Sequence, residues 1–239
     1  HAVHLLPIHW DHLRAFIGFD RGNSSDNGVV QGNFEHVAHR VGALCDHPAL
    51  FCWYLFDEPE LPDQYVAPKL LTAFADLVRQ LDPYHPVVMT TWGSGMNRYR
   101  RTWDTHWTQA YRKPDGVVRQ IAEHRSYLNN DSPITLLVHS YDIEQHQALR
   151  SGRIKEPDLN AFKPDYDWMR AAAFAGIAKD VNGLWWWWFA RHAGGNWLAV
   201  GSVDVGWKNL QKVVAEIAAL RPVLNAVAPT KSGTVTVDE

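Results

Sequence analysis

The chain has little cysteine, no long apolar run and no surplus of either charge, and each shortage removes a class of protein. Only two of its 239 residues are cysteines, Cys45 and Cys52. Two buried free thiols are expected there, with a disulfide as the geometric alternative. Nowhere do about 18 apolar residues follow one another, so no spanning helix and no membrane partner is expected. Twenty-three basic against 26 acidic residues leave a net charge of −3, which gives nucleic acid no electrostatic footing. A glycine-rich phosphate loop, a Cys-x-x-Cys pair and a Gly-x-Ser-x-Gly elbow are all missing, which disfavours nucleotide binding and serine hydrolysis. No cofactor is expected.

Against these absences stand twelve tryptophans, four of them consecutive at Trp185, Trp186, Trp187 and Trp188, and thirteen histidines. Indole faces suit the apolar C–H face of a pyranose, although most of the twelve are expected to fill core. His1, His4, His9 and His12 alternate faces along an extended segment instead of converging, so no metal is expected.

Apolar runs of strand length alternate with helical patterns, the signature of βα units and a parallel sheet. Strands are predicted over residues 3–8, 50–56, 86–91, 105–111, 134–138 and 183–189, the fourth being the weakest. Helices are predicted near 33–45, with Asn33 as N-cap, and over 65–81, 116–128, 166–179 and 207–220, with Pro222 as the final stop. In the helix over 65–81, Leu70, Leu71, Phe74, Leu77 and Leu81 share one face. A Gly/Asn/Ser-rich loop over 22–32 and a long loop over 143–165 complete the pattern. Residues 50–56 are apolar throughout, as a strand buried on both faces reads.

Six strands fall short of the eight, in about 250 residues, of a (β/α)8 barrel. The expectation is therefore an α/β TIM barrel lacking its first two βα units in this chain. Residues 1–228 would be the partial barrel, and 229–239 a linker and the start of an appended β domain. An open six-stranded sheet is the structural alternative. A chain that opens on His1 either has lost a leader or starts mid-protein, and the strand count favours the second.

The sharpest chemical signal is Trp53-Tyr54-Leu55-Phe56-Asp57-Glu58-Pro59, two carboxylates where a buried strand leaves the sheet. In barrels, strand C-terminal ends form the active face. Pro59 keeps Glu58 out of the α region, so an extended backbone is expected, with Asp57 and Glu58 pointing to opposite sides. Trp92-Gly93-Ser94-Gly95 reads as a tight loop at the cleft, with Trp92 a stacking candidate. His9, Trp10 and Asp11 follow the first strand, and His139, Ser140, Tyr141 and Asp142 follow the fifth. His139 and Tyr141 suit a substrate hydroxyl or a carboxylate. Of Trp185 to Trp188, at most two can face a ligand.

The segment His47-Pro48-Ala49-Leu50-Phe51-Cys52-Trp53-Tyr54-Leu55-Phe56-Asp57-Glu58-Pro59-Glu60 resembles the fourth-strand segment of retaining (β/α)8 glycoside hydrolases, the clan of β-galactosidases, β-glucuronidases and mannanases. Its Asp-Glu-Pro is similar to that of divergent branches. Arg170 to Ile177 with Gly183 to Phe189 resembles the clan's seventh helix and eighth strand, and Leu198 to Leu224 its last helix. The resemblance implies hydrolysis of a glycosidic bond in an oligo- or polysaccharide, with Glu58 as acid/base and an extracellular or periplasmic location. Burial among Trp and Tyr is expected to raise the Glu58 pKa, and Asp57 to hold that acid or a sugar hydroxyl. From their places after the strands, His9, Trp10, Trp92, His139 and Tyr141 are expected around the sugar, with Trp187 of the last strand.

The clan's second carboxylate, a Glu ending the seventh strand, has no counterpart here. Asp142 is the nearest acid and is assigned as nucleophile or base, with Glu144 beyond it and Asp104 as an inverting alternative. A retaining pair stands about 5–5.5 Å apart, an inverting one about 6.5–9.5 Å. The gap leaves two other readings open: a non-catalytic carbohydrate-binding barrel, and a structural barrel subunit completed by another segment or subunit.

Overall fold

The computed structural model describes residues 34–62, 65–93, 95–110, 113–129, 132–187 and 203–224. The predicted first strand, the 22–32 loop, His9, Trp10, the histidines at 1, 4 and 12, and the tail over 229–239 lie outside them. Five strands form one sheet in the order β1-β2-β3-β4-β5: β1 Trp53–Asp57, β2 Val87–Thr90, β3 Thr105–Ala110, β4 Ile134–His139 and β5 Gly183–Trp187. The helices are α1 Phe34–Leu44, α2 Pro68–Leu81, α3 Gly95–Tyr99, α4 Pro114–Tyr127, α5 Ile143–Arg150, α6 Tyr166–Ala178 and α7 Asp204–Leu224. The chain divides into two compact units, one running to His139 and including Ala172–Trp186, the other holding Ser140–Ala171 and the residues from Trp187 on.

Spatial strand order follows sequence order without reversal, and the β1–β2, β2–β3 and β3–β4 pairs are parallel. A doubly wound sheet reverses its order to cover both faces; this one is wound in a single direction, as part of a barrel is. The two faces differ accordingly. Trp53, Leu55, Val87, Met89 and Ile134 share a buried apolar cluster with Val37 and Val41 of α1 and Leu71, Phe74, Ala75 and Val78 of α2. On the opposite face of β1 to β3 lie Tyr54, Asp57, Thr90, Trp107 and Gln109, which are mostly polar and buried.

Several boundaries differ from expectation. Leu50 and Phe51 are not in β1. The backbone N–H of His47 donates to Leu44 O, and that of Leu50 to His47 O, both at 2.9 Å. This turn uses up the start of the apolar run, and Phe51 is 52% exposed. Leu81 is 41% exposed, so the buried stripe of α2 ends at Val78. The stretch expected as a long loop contains α5 and a 3-10 turn, Leu159–Ala161. Pro222 lies inside α7; its φ is helical by nature, and one missing N–H in a final turn does not end the helix. Both cysteines are free, Cys52 buried and Cys45 half-buried.

The strand N-terminal ends are tied by carboxylates. Asp82 accepts from the Trp53 indole at 2.8 Å and from the backbone N–H groups of Tyr84 and His85. Asp104 accepts from Val87 N at 2.7 Å and from Arg79 Nη2 at 2.9 Å. That sets Asp104 before β3, at the end of the sheet away from Glu58, and removes it as an inverting partner. The open pocket between Arg79, Tyr84, His85 and Asp104 lies at the same far end.

Candidate functional site

Glu58 leaves β1 at its C-terminal end, where its backbone N–H donates to Thr90 O at 3.1 Å. Its own carbonyl accepts from Leu61 N at 3.1 Å, closing a turn. Proline at 59 does bar the right-handed helical region, but the backbone is not extended: Glu58 has φ +50°. A non-glycine residue in the left-handed region costs about 1–2 kcal/mol, and such strain persists where the surroundings over-determine it. They do here. Val66 N donates to Pro59 O at 3.0 Å, and the fully buried Tyr99 hydroxyl donates to Pro59 O at 3.2 Å and Val66 O at 2.7 Å.

Asp57 and Glu58 part company through a bulge. Tyr54 pairs with Val88 and Asp57 with Thr90, three steps on β1 against two on β2. The extra residue turns Asp57 onto the face of Tyr54. There its Oδ1 accepts from the Tyr54 hydroxyl at 2.8 Å, from Gln109 Nε2 at 3.0 Å and from the Thr90 hydroxyl. Burial pushes the Asp57 carboxyl above its ordinary range, against the pull of those three donors. Tyr54, Thr90 and Gln109 were not singled out from sequence, because a bulge leaves no mark in an apolar run.

Glu58 is half-buried, and its Oε1 accepts the indole N–H of Trp92. Trp92 follows β2, and its backbone N–H donates to Oε1 of Glu60. Gly93, at φ +47°, makes the turn into α3, where Gly95 N donates to Trp92 O at 2.9 Å. One tryptophan thus bridges two carboxylates of the same short segment. Glu60 is itself pushed up, chiefly by burial and also by Asp57, while its backbone, Trp92 N–H and Arg98 pull it down. Sequence reasoning passed over Glu60, although the motif Asp57-Glu58-Pro59-Glu60 carries this third acid in plain view.

Behind Trp92 lies a neutral histidine pair. His124 meets the Trp92 ring edge-on at 6.0 Å, and its Nδ1 is 2.9 Å from Thr108 Oγ1. His106 contacts Thr108 at 3.2 Å and Thr91 at 3.1 Å. Burial drives His106 to about 3, helped by His124, and His124 to about 4. These rings therefore support the end of β2 and carry no charge at neutral pH.

An aromatic row crosses the same face as Asp57. Tyr54 lies 5.1 Å from Trp107, and Trp107 4.7 Å from Trp185. His139 ends β4 on that face, since Leu137 pairs with Gln109, and it is 6% exposed. The described residues thus bring Glu58 and Trp92 together, next to Asp57 in the chain, and His139 lies in the same unit.

Asp142, Tyr141 and Trp187 belong to the other unit. Tyr141 is 6% exposed, and the Trp187 carbonyl accepts from Ser140 N at 2.7 Å. Asp142 is 1% exposed and caps α5. Its Oδ1 accepts from Gln145 N at 2.9 Å, and its Oδ2 from Gln145 Nε2 and Lys163 N, both at 2.8 Å. Glu144, in the first turn of the same helix, is exposed. No group of three His, Cys, Asp or Glu able to hold a metal occurs among the described residues, and no described helix is long and apolar enough to cross a membrane.

No family model matches the chain, and no curated protein does. Among solved structures it is similar to a candidate α-L-fucosidase from Bacteroides thetaiotaomicron, at 10% identity and a TM-score of 0.52, over 76% of this chain and 60% of that one. It is also similar to a β-galactosidase from the Antarctic haloarchaeon Halorubrum lacusprofundi, at 19% identity and TM-score 0.46, over 72% of this chain and 27% of that one. A β-D-glucuronidase of Dictyoglomus thermophilum matches at 12% identity and TM-score 0.47, over 76% and 35%. The chain spans less than two thirds of the length of each of these proteins. The likeness to the first shows the fold: a glycosidase-like arrangement of parallel strands and helices.

Proposed function

We propose that the chain is part of a (β/α)8 glycoside hydrolase in which Glu58 is the general acid. The observation that carries this reading is the setting of Glu58: a half-buried carboxylate at a strand C-terminal end, held at φ +50° and bonded to an indole. Strained, over-determined backbone is characteristic of residues whose position matters to chemistry. Glu58 would give its proton to the leaving glycosidic oxygen as the bond to the anomeric carbon breaks, and a second carboxylate would take up the developing positive charge or activate water. Asp57 fixes β1 against β2 and β3 beneath the acid. Tyr54, Trp107 and Trp185 supply the flat apolar faces on which a sugar ring stacks, with Trp92 and His139 as further binding residues. In this reading the barrel domain covers residues 1–228 and 229–239 lead into another domain.

Asp142 is the acid assigned to the second role. Three N–H donors occupy both of its oxygens, and this favours a second reading, a barrel that binds carbohydrate without cleaving it. The test is turnover of aryl glycosides and oligosaccharides by the chain and by Glu58→Gln. A rate lowered about 10²-fold or more in the variant supports an acid at Glu58. Binding without turnover in either protein favours the second reading.

A further inference from the structure

We propose that Glu60 is the positioning residue of this site, acting on Glu58 through Trp92. The two ends of Trp92 carry the argument. Its backbone N–H goes to Glu60 Oε1, and its indole N–H goes to Glu58 Oε1. Trp92 has only two N–H groups, so both of its donors end on acids of the same short segment.

Glu60 is built into its place. A Cβ on Gly95 would stand 3.1 Å from Glu60 Cδ and 3.3 Å from both its Cγ and its Oε1, so the Glu60 side chain packs closely against the first residue of α3. The other oxygen, Oε2, is buried with no hydrogen-bond partner. An acid buried at that cost, with one oxygen given to a neighbouring backbone, fits a holding role better than a solvated loop acid. The titratable groups around it are Asp57 on β1 and Arg98 and Tyr99 on α3. Its elevated pKa agrees with a carboxyl kept partly out of water.

The consequence is a division of labour within Asp57-Glu58-Pro59-Glu60. Glu58 meets the substrate. Glu60 never does; it sets where the Trp92 backbone lies, and so whether the indole reaches Glu58. Losing the Glu60 acceptor should free Trp92, leaving Glu58 with a wandering donor. Glutamine at 60 keeps an acceptor oxygen in the same place and should keep the clamp.

Nitrogen-15 labelling of tryptophan in the full chain gives the test, because Trp92 reports from both ends. Its indole signal is the one lost in Trp92→Phe. In the unmodified protein that signal is expected downfield, to titrate with Glu58, and to disappear as a titrating signal in Glu58→Gln. Glu60→Leu should move it to the position of an unbonded indole, with exchange about 10-fold faster or more. Glu60→Gln should hold it near its original position. An indole signal that stays in place in Glu60→Leu, or one displaced as far in Glu60→Gln as in Glu60→Leu, overturns the proposal. If Glu60→Leu fails to fold, Glu60→Ala takes its place: it removes the same acceptor, and a folded variant whose indole signal stays in place overturns the proposal equally.

The kinetic arm rests on the hydrolase reading above. There Glu60→Leu should lower kcat by about 10²-fold with little change in KM, the scale of a misplaced catalytic group, and Glu60→Gln should recover most of it. The spectroscopic arm needs no turnover. An inert chain whose Trp92 signals respond as stated loses the hydrolase reading and keeps this one.

Discussion

Replacing Asp57 by asparagine removes a buried, titrating carboxyl from the site while keeping an acceptor for its three donors. Tyr54, Thr90 and Gln109 all converge on Oδ1, and an asparagine Oδ1 can accept from the same three. What changes is titration. Three donors lower the pKa and burial raises it, and burial wins. A carboxyl whose folded pKa lies above its unfolded value, about 3.9, binds its proton more tightly in the folded state. It contributes stability that is complete below that unfolded value and is lost as pH rises through the folded one. Asparagine has no such slope.

The stability of the unmodified protein minus that of Asp57→Asn should therefore fall as pH rises from about 4, by up to about 1.4 kcal/mol per pH unit, and level off above the folded pKa. Urea unfolding of both proteins at half-unit intervals from about pH 4 to 8, a range that spans the unfolded value, measures it. Asp57→Ala separates charge from hydrogen bonding. Tyr54 and Thr90 still have each other at 2.8 Å, whereas Gln109 Nε2 loses its acceptor, a cost of about 1–3 kcal/mol. A flat difference between the unmodified protein and Asp57→Asn, or one that rises with pH, would refute the claim that desolvation outweighs the three donors.

Two further outcomes test the supporting structure. Asp142→Ala removes the N-cap of α5 and leaves the backbone N–H groups of Gln145 and Lys163 without their acceptor, so urea unfolding should show a loss of about 2–4 kcal/mol; an unchanged midpoint means that the capping is not what Asp142 contributes. Burial pushes the Cys52 thiol up to about 12, so in the folded protein a thiol reagent at about pH 8 should label the half-buried Cys45 and reach Cys52 only on unfolding. Fast labelling of both would mean that Cys52 is not buried.

Much of the fold was legible in the sequence because burial writes itself into composition. The runs at 86–91 and 134–138 lead to β2 and β4 within a few residues, both buried throughout, since a strand covered on both faces needs apolar residues throughout; the run at 183–189 leads to β5, whose residues are half-buried. The weak run at 105–111 became β3 all the same, with His106, Thr108 and Gln109 as buried polar groups satisfied by partners elsewhere in the chain. Hydrophobicity alone undervalues such a strand. Helix α5 escaped because Ile143-Glu144-Gln145-His146-Gln147-Ala148-Leu149-Arg150 has almost no apolar stripe; its readable signal was the cap, Asp142 with Gln145 three residues on.

The site was legible in part. Asp-Glu-Pro at a strand end drew attention to Glu58, and the resemblance gave it a role. The left-handed backbone of Glu58, the bulge that turns Asp57 inward and the clamp of Trp92 between Glu58 and Glu60 depend on how β1 and β2 meet. No local pattern encodes that register. Glu60 went unnoticed for the same reason: an acid after proline reads as a solvated loop residue until Trp92 and Gly95 close over it.

The most direct test of the account is single-turnover hydrolysis of an activated and an unactivated aryl glycoside by the chain and by Glu58→Gln. A general acid matters most when the leaving group is poor. Loss of turnover by about 10²-fold or more on the unactivated substrate, with a much smaller loss on the activated one, is the predicted result. Equal rates for the two proteins on the unactivated substrate would contradict the assignment of Glu58.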